Sequence, residues 1–145
     1  MQLRFIVGLG LAALIGSGAW AQNAPDLSGN DAHWIKDGSS NCWAANPDPS
    51  PGETIVWTGA CENNLLSGPG TLTWYINGKA VGQDEGTFRN GELSGHGRVS
   101  FADGANFEGD FPGKGMLTLP TGQKIPAESI HEVAGWSIEQ SLPQR

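Results

Sequence analysis

The stretch DEGTFRNGELSGHGRVSFADG, residues 84–104, places glycines regularly among alternating apolar and polar residues. Period-two alternation, as in residues 98–101, is typical of a β-strand with one buried face. The pairs Asn90-Gly91 and Asp103-Gly104 favour tight turns, because Asn, Asp and Gly accept positive φ. The stretch therefore predicts a β-hairpin with strands at residues 86–89 and 98–101, connected through residues 90–95.

The same arrangement occurs once before this stretch and once after it. Residues 57–83, 84–106 and 107–124 each contain E-G or T-G, then G-x-G, then an alternating segment and a turn pair. A short recurring period of this kind indicates stacked repeats. The regular G-x-G glycines suggest that strands pack or bend where a side chain would collide.

These three units resemble the MORN family (membrane occupation and recognition nexus repeats). The family pattern is aromatic-E-G-x-aromatic, then x-N-G, G-x-G, alternating hydrophobic residues and D-G. Unit 84–106 fits best, although Asp84 stands where the pattern has an aromatic residue. Unit 57–83 has Cys61 at the second aromatic position and Asn64 in place of the N-G glycine, and unit 107–124 has a shorter first connection. The resemblance implies a mainly β fold of stacked antiparallel hairpins, and a role in interaction and assembly.

The N-terminal residues are those of an exported protein. Arg4, the apolar run 5–15 and Ala19-Trp20-Ala21 match a signal peptide over residues 1–21. The alternative is an uncleaved membrane anchor, but a span needs roughly 20 apolar residues and this run is shorter and rich in glycine. Residues 42–49, with their N-P-x-P sequence, are also similar to small exported bacterial MORN proteins. We therefore expect a periplasmic or secreted protein of a Gram-negative bacterium, with no membrane span after signal removal.

Charge argues against two classes of partner. The formal net charge is −7, from 15 acidic residues and 8 Lys and Arg, and removal of the signal peptide would also remove Arg4. Nucleic acid and anionic lipid repel such a chain, and the sequence contains no basic cluster. Neither is expected as the main partner.

The two cysteines, Cys42 and Cys61, are expected to form a disulfide in an oxidising compartment. In the chain-entropy model a loop of this size is worth about 3 kcal/mol. A reactive thiol or a metal pair is the alternative, although C-x-x-C spacing is absent. The disulfide would attach the polar, turn-rich segment 22–52, with Trp43, to the first hairpin.

Alternation divides the repeat region, residues 53–124, into an apolar and a polar face. Three hairpins bury little by themselves, so something should cover the apolar face. Residues 125–145 are expected to form a cap and tail, with a short helix begun by the capping-box spacing of residues 129–132; a strand through residues 131–134 is the alternative. The predicted apolar positions are Trp57, Cys61, Leu72, Trp74, Phe88, Val99, Phe101, Phe107, Phe111, Leu117 and Leu119.

The sequence contains no catalytic motif, and neither a metal nor a cofactor is expected. Glu85 and Glu108 occupy equivalent repeat positions, and each could accept hydrogen bonds from a turn or act in acid–base chemistry. The candidate binding surface consists of Tyr75, Trp74 and Trp57. Tyr75 is expected to be exposed because alternation sends the rings of Trp74 and Tyr75 to opposite faces; packing is the alternative.

The leading hypothesis is a non-enzymatic, exported protein-binding or scaffold module. It would contact another envelope protein by edge pairing or through an aromatic patch. One alternative is a small cell-envelope enzyme or inhibitor that uses Glu85, Glu108 or Asp84. The other is a glycan-binding module.

Overall fold

A computed structural model describes residues 33–130 of the chain. The expected signal peptide at residues 1–21 lies outside this range. The described part is mainly β, as the repeats predict, and its ten strands form one sheet. The strands are β1 (Trp34–Lys36), β2 (Trp43–Ala45), β3 (Glu53–Trp57), β4 (Ala60–Glu62), β5 (Leu65–Ile76), β6 (Lys79–Arg89), β7 (Glu92–Phe101), β8 (Asn106–Phe111), β9 (Gly115–Thr118) and β10 (Lys124–Ala127).

The strands from β5 to β10 form an antiparallel meander in which each pairs with the next along the chain. The long strand β5 organises the start of the sheet. Its two halves pair antiparallel with β4 and β3. The antiparallel pair β1–β2 joins β5 through a single parallel pairing, Trp43 with Leu65.

The hairpin of unit 84–106 has longer strands than the alternation predicts. Only Asn90 and Gly91 separate β6 from β7, and both have positive φ, 51° and 81°. Gly95 and Gly97 lie within β7 rather than in the connection. The prediction failed here because the register shifts between Gly86 and Thr87, so that β7 accommodates extra residues without leaving the sheet.

The departure from the repeat pattern at Asn64 leaves the turn intact. Asn63 and Asn64 connect β4 to β5 with φ of 51° and 62°. Asparagine is among the non-glycine residues that tolerate this region, so the missing glycine is replaced without loss of the hairpin.

The strand register confirms the two predicted faces. Residues directly opposite each other share a face, and one apolar-face row crosses the sheet from β3 to β10. Its members are Trp57, Leu72, Asp84, Val99, Phe107, Leu117 and Ile125. Of these, Leu72, Phe107 and Leu117 are fully or nearly fully buried. The opposite, polar face carries Thr71, Glu85, Arg98 and Glu108.

A second row on the apolar face consists of glycines. Gly70, Gly86, Gly97, Gly109 and Gly115 lie opposite one another on five successive strands. At four of them the space that a Cβ would take is occupied by a large side chain, and at Gly109 it is occupied by the backbone of Lys114 and Gly115. A Cβ at Gly70 would lie 2.8 Å from Cζ3 of the Trp57 ring, and one at Gly115 would lie 2.8 Å from Cε1 of Phe107. The Trp57 ring also meets Phe88 edge to face, with ring centroids 4.7 Å apart. The recurring glycines therefore provide room for large side chains to lie across the sheet.

Replacement of one of these glycines should destabilise the fold through overpacking. Gly70→Ala should lower the free energy of unfolding by about 1–3 kcal/mol, because the Trp57 ring must move. Gly38→Ala is the matched control: a Cβ there has no neighbour within 4 Å, and a surface change of this kind stays within about 0.5 kcal/mol. Urea unfolding followed by tryptophan fluorescence measures both, and equal stabilities would contradict the steric role of the row.

The N-terminal segment is fastened to the sheet by the Cys42–Cys61 disulfide, with Cα atoms 5.6 Å apart. Cys42 is buried and Cys61 is exposed. Beyond the disulfide, the backbone N–H of Ala45 donates to the carbonyl of Gly91 at 2.9 Å, and that of Trp43 donates to Asn64 at 2.8 Å. The segment therefore lies against the turns of the first two hairpins. The strands β1 and β2 within it were not predicted, because each is only three residues long.

A buried carboxylate organises the loop before Cys42. Asp37 is 1% exposed and accepts hydrogen bonds from the hydroxyls of Ser39 and Ser40, at 2.9 and 2.6 Å. Burial acts to raise the pKa of Asp37, but the hydrogen bonds from Ser40 and Ser39 outweigh it, and the pKa lies below its usual value. The ionised side chain therefore stabilises this loop.

Loss of the disulfide should remove much of the stability. Cys42→Ser combined with Cys61→Ser should lower the free energy of unfolding by about 3 kcal/mol and the melting temperature by more than about 10 °C. Reduction of the unmodified protein should have a similar effect, whereas the double variant should not respond to reductant. Thermal unfolding by circular dichroism provides the measurement. A melting temperature unchanged by reduction would show that the noncovalent contacts alone hold the segment.

The expected C-terminal helical cap is not seen in the described residues, which end at Ile130, near its predicted start at residues 129–132. Residues 124–127, at the start of that segment, form β10, which pairs with β9 from Lys124 opposite Thr118 to Ala127 opposite Gly115. The sheet thus extends by one strand, and Ile125 packs against the core. The predicted helix beyond Ile130 and the alternative strand at 131–134 lie outside the described residues.

Candidate functional site

The apolar face is divided into two buried clusters, and Asp84 lies at the division. One cluster includes Trp57, Leu72 and Phe88, with Trp74 packed against it. The other includes Val99 and Phe107, with Phe101 packed against it. In the row of facing residues, Asp84 stands directly between Leu72 of the first cluster and Val99 of the second. A carboxyl group therefore interrupts the apolar row where the repeat pattern has an aromatic residue.

A cleft of about 570 Å³ opens over this point. Its floor is formed by Leu72, Asp84 and Val99, from the three central strands β5, β6 and β7. Residues from outside those strands border it as well: Ala45, Pro47 and Asp48 of the N-terminal segment, Phe111 and Pro112 at the end of β8, and Ile130. Its volume lies in the range of protein sites that bind small molecules or peptide side chains, about 300–1,000 Å³. The strand register and the attached N-terminal segment together create this concave surface.

The carboxyl group of Asp84 has an unusual environment. Its Oδ2 accepts a hydrogen bond from the indole Nε1–H of Trp74 at 2.9 Å. Burial raises the pKa of Asp84 to about 6, and the Trp74 hydrogen bond opposes that shift only in part. Within residues 33–130, Asp84 makes no ion pair with Lys, Arg or His. A partly buried acid with a raised pKa in an apolar cleft is a candidate functional group.

The candidate aromatic surface is distributed over both faces of the sheet. Trp57 is 6% exposed, lies over the glycine row and donates its indole N–H to the carbonyl of Ala60. Trp74 lines the cleft. Tyr75 lies opposite Thr54, on the polar face, and is partly buried. The structure therefore brings Trp57 and Trp74 to one face and leaves Tyr75 on the other.

The predicted carboxylates Glu85 and Glu108 lie on the polar face, on either side of Arg98 in the register. Both are exposed. The His96 Nε2 atom lies 3.4 Å from Oε1 of Glu108, and its Nδ1 atom lies 3.4 Å from Oδ1 of Asp110. The His96 side chain is 70% exposed. This open group of alternating charges lacks the concave surroundings of Asp84. Over residues 33–130, no three or more His, Cys, Asp or Glu side chains are arranged to hold a metal ion.

The sequence profile of the MORN repeat matches residues 62–79 and 85–105. The chain carries MORN repeats. The matched residues cover all of β5 and β7 and the second half of β6. The structure places unit 107–124 in the same sheet, with Gly109 and Gly115 in the same row. Comparison with curated protein sequences finds no significant match. In the part of the chain that the structure describes, no helix has the length and apolarity needed to cross a membrane.

Within the repeat, Asp84 is the residue that sequence reasoning undervalued. The sequence groups Asp84 with Glu85 and Glu108 as a possible enzyme carboxylate, although those two side chains lie on the opposite face. The signal that sets it apart is its position, because the MORN pattern has an aromatic residue there. An acid in that position points into the apolar cleft, whereas the glutamate of E-G points to solvent.

Asp84 should make the fold less stable at neutral pH than at acidic pH. The folded-state pKa of about 6 lies above the usual aspartate value of 3.8, so the proton is bound more tightly in the folded state. The stabilisation from this proton is fully present below pH 3.8 and is lost as pH rises through 6. The loss lowers the free energy of unfolding by at most about 3 kcal/mol.

Asp84→Asn keeps an acceptor for the Trp74 indole and removes the charge. It should therefore raise the free energy of unfolding at pH 7.5 by up to about 3 kcal/mol, and have little effect near pH 3.5. Glu85→Gln, on the exposed face, serves as the control and should show no such pH-dependent difference. Urea unfolding of the three proteins across this pH range measures the differences. A D84N variant no more stable than wild type at pH 7.5 would contradict the burial of this charge.

Proposed function

We propose that this chain is an exported, non-enzymatic MORN-repeat module that binds another protein of the bacterial cell envelope. The cleft around Asp84 is its binding surface. The observation that carries the proposal is this concave, largely apolar cleft, which the described residues leave open between two buried clusters. MORN repeats suggest a protein-binding module, and the cleft offers a surface for that purpose.

Three features of the cleft favour binding of a protein segment. Its walls include the partly exposed aromatic rings of Trp74 and Phe101, and aromatic residues are enriched at protein interfaces. Its floor is built on paired strands rather than on loops, which fixes the positions of the side chains. Asp84 also places a carboxyl group between Leu72 and Val99 in an apolar row, as expected where a binding requirement outweighs packing.

Export is supported by two independent features of the chain. The residues before position 22 have the order of a signal peptide. The Cys42–Cys61 disulfide is consistent with an oxidising compartment. The disulfide also bears on binding, because it fastens the segment that supplies Ala45 and Pro47 to one wall of the cleft.

Photocrosslinking in living cells tests the proposal. Benzoylphenylalanine in place of Phe101 puts the reactive group in the cleft, and benzoylphenylalanine in place of Tyr75 puts it on the opposite face as a matched aromatic control. The protein is expressed with its own N-terminus in a Gram-negative host, and adducts are identified by mass spectrometry.

We expect one reproducible envelope-protein adduct from position 101 and little or none from position 75. The purified pair should then bind, with the Phe101→Ala variant weakened at least tenfold relative to Tyr75→Ala. Adducts from position 75 alone, or from neither position, would contradict the cleft as the binding surface. Retention of the protein in the cytoplasm would contradict export.

A further inference from the structure

The charged groups that line the cleft all have the same sign. Asp84 projects from β6, Glu92 from the start of β7 and Asp48 from the N-terminal segment. Among the described residues that line it, there is no Lys, Arg or His. The whole chain also carries a net charge of −7. A cationic group is therefore attracted to the cleft both locally and at long range.

Asp84 is positioned to receive such a group. An ionised carboxylate has about four acceptor positions, and the Trp74 indole N–H occupies one of them. Because Asp84 is set among apolar side chains, an ion pair formed there is weakly screened by water. It would be stronger than a pair on the open polar face, where exposed pairs are worth only about 0–1 kcal/mol.

The surroundings of Asp84 also suit a cation. The rings of Trp74, Phe88, Phe101 and Phe111 line the same cleft, and the faces of aromatic rings attract ammonium and guanidinium groups. The methylene groups of a lysine or arginine side chain are apolar and can pack along such walls while the charge meets the carboxylate. The cleft is larger than one such side chain, so it also has room for apolar neighbours.

We propose that the cleft recognises a lysine or arginine side chain, flanked by apolar residues, in the partner protein, with Asp84 as the specificity-determining residue. This inference rests on the proposed function and names the chemistry of the partner segment. The charge of the cleft favours this occupant over residues 131–145 of the same chain, which follow Ile130 but include only one Lys or Arg, Arg145.

Recognition of a cation should depend on pH. Asp84 pairs with a cation only when it is ionised, and its pKa in the free protein is about 6. The charged groups that face it in the cleft are Glu92 and Asp48, which are both acidic. At pH 5 about one-tenth of Asp84 would be ionised, so the affinity should fall by about tenfold between pH 7.5 and pH 5.

Short peptides test the chemistry without the natural partner. The probes are acetylated, amidated pentapeptides of sequence Ala-Phe-X-Phe-Ala, in which X is lysine, norleucine or glutamate. A fourth probe, Ala-Ala-Lys-Ala-Ala, measures non-specific attraction to the acidic chain. Binding is followed by the tryptophan fluorescence of the protein and by calorimetry, with wild type, Asp84→Asn and the exposed-face control Glu108→Gln. Circular dichroism verifies that each variant is folded.

For wild type at pH 7.5, we expect the Phe-Lys-Phe probe to bind at least tenfold more tightly than the norleucine probe and the Ala-flanked lysine probe. This preference should fall below twofold in D84N, persist in E108Q, and decline at pH 5. The proposal is overturned if lysine and norleucine bind equally, if the preference survives in D84N, or if no probe binds at millimolar concentration.

The two proposals can fail separately. Equal or tighter binding of the norleucine probe would assign the cleft to a neutral apolar segment, residues 131–145 included, and deletion of those residues would then increase the affinity. If position 101 still forms a partner adduct in cells while Asp84→Asn leaves partner affinity unchanged, the protein-binding function stands and the cation recognition is wrong.

Discussion

The apolar face of this sheet depends on the steric room that glycines leave for the side chains of neighbouring strands. The Trp57 ring lies over Gly70, Phe107 lies over Gly115, and Leu93 reaches over Gly86 and Gly97. In a flat antiparallel sheet these large side chains would stand upright and leave gaps between rows. The glycine row lets them lie across the strands, so a single sheet forms a dense core with little covering structure.

Asp84 is the departure from the repeat pattern that changes the packing of the apolar face. Asp84 occupies the aromatic position between Leu72 and Val99. An aromatic ring there could join the two clusters into one core. The carboxyl group instead accepts a hydrogen bond from the Trp74 indole and lies at the cleft, while Leu93 packs against both clusters. The interruption places a carboxyl group in an otherwise apolar row, beside a cleft that the repeat pattern alone does not predict.

The disulfide-linked N-terminal segment acts on stability and on the shape of the cleft together. It packs Cys42 and Ala44 into the first cluster, where both are almost fully buried. It also supplies Ala45, Pro47 and Asp48 to the cleft. The hydrogen bond from Ala45 to Gly91 fixes the position of this wall against the β6–β7 turn. The stability of the segment and the shape of the cleft therefore depend on the same covalent link.

The sequence by itself determined the repeats, the two faces, the tight turns and the cysteine pair, because each of these follows from local spacing and from the conformations that glycine and asparagine accept. Only the tertiary structure decided the placement of G-x-G within β7, the strand at residues 124–127 and the cleft around Asp84. These depend on strand register and on contacts between residues distant in the sequence. A register shift after Gly86 cannot be derived from alternation, and the environment of a carboxyl group depends on which neighbours the fold brings beside it.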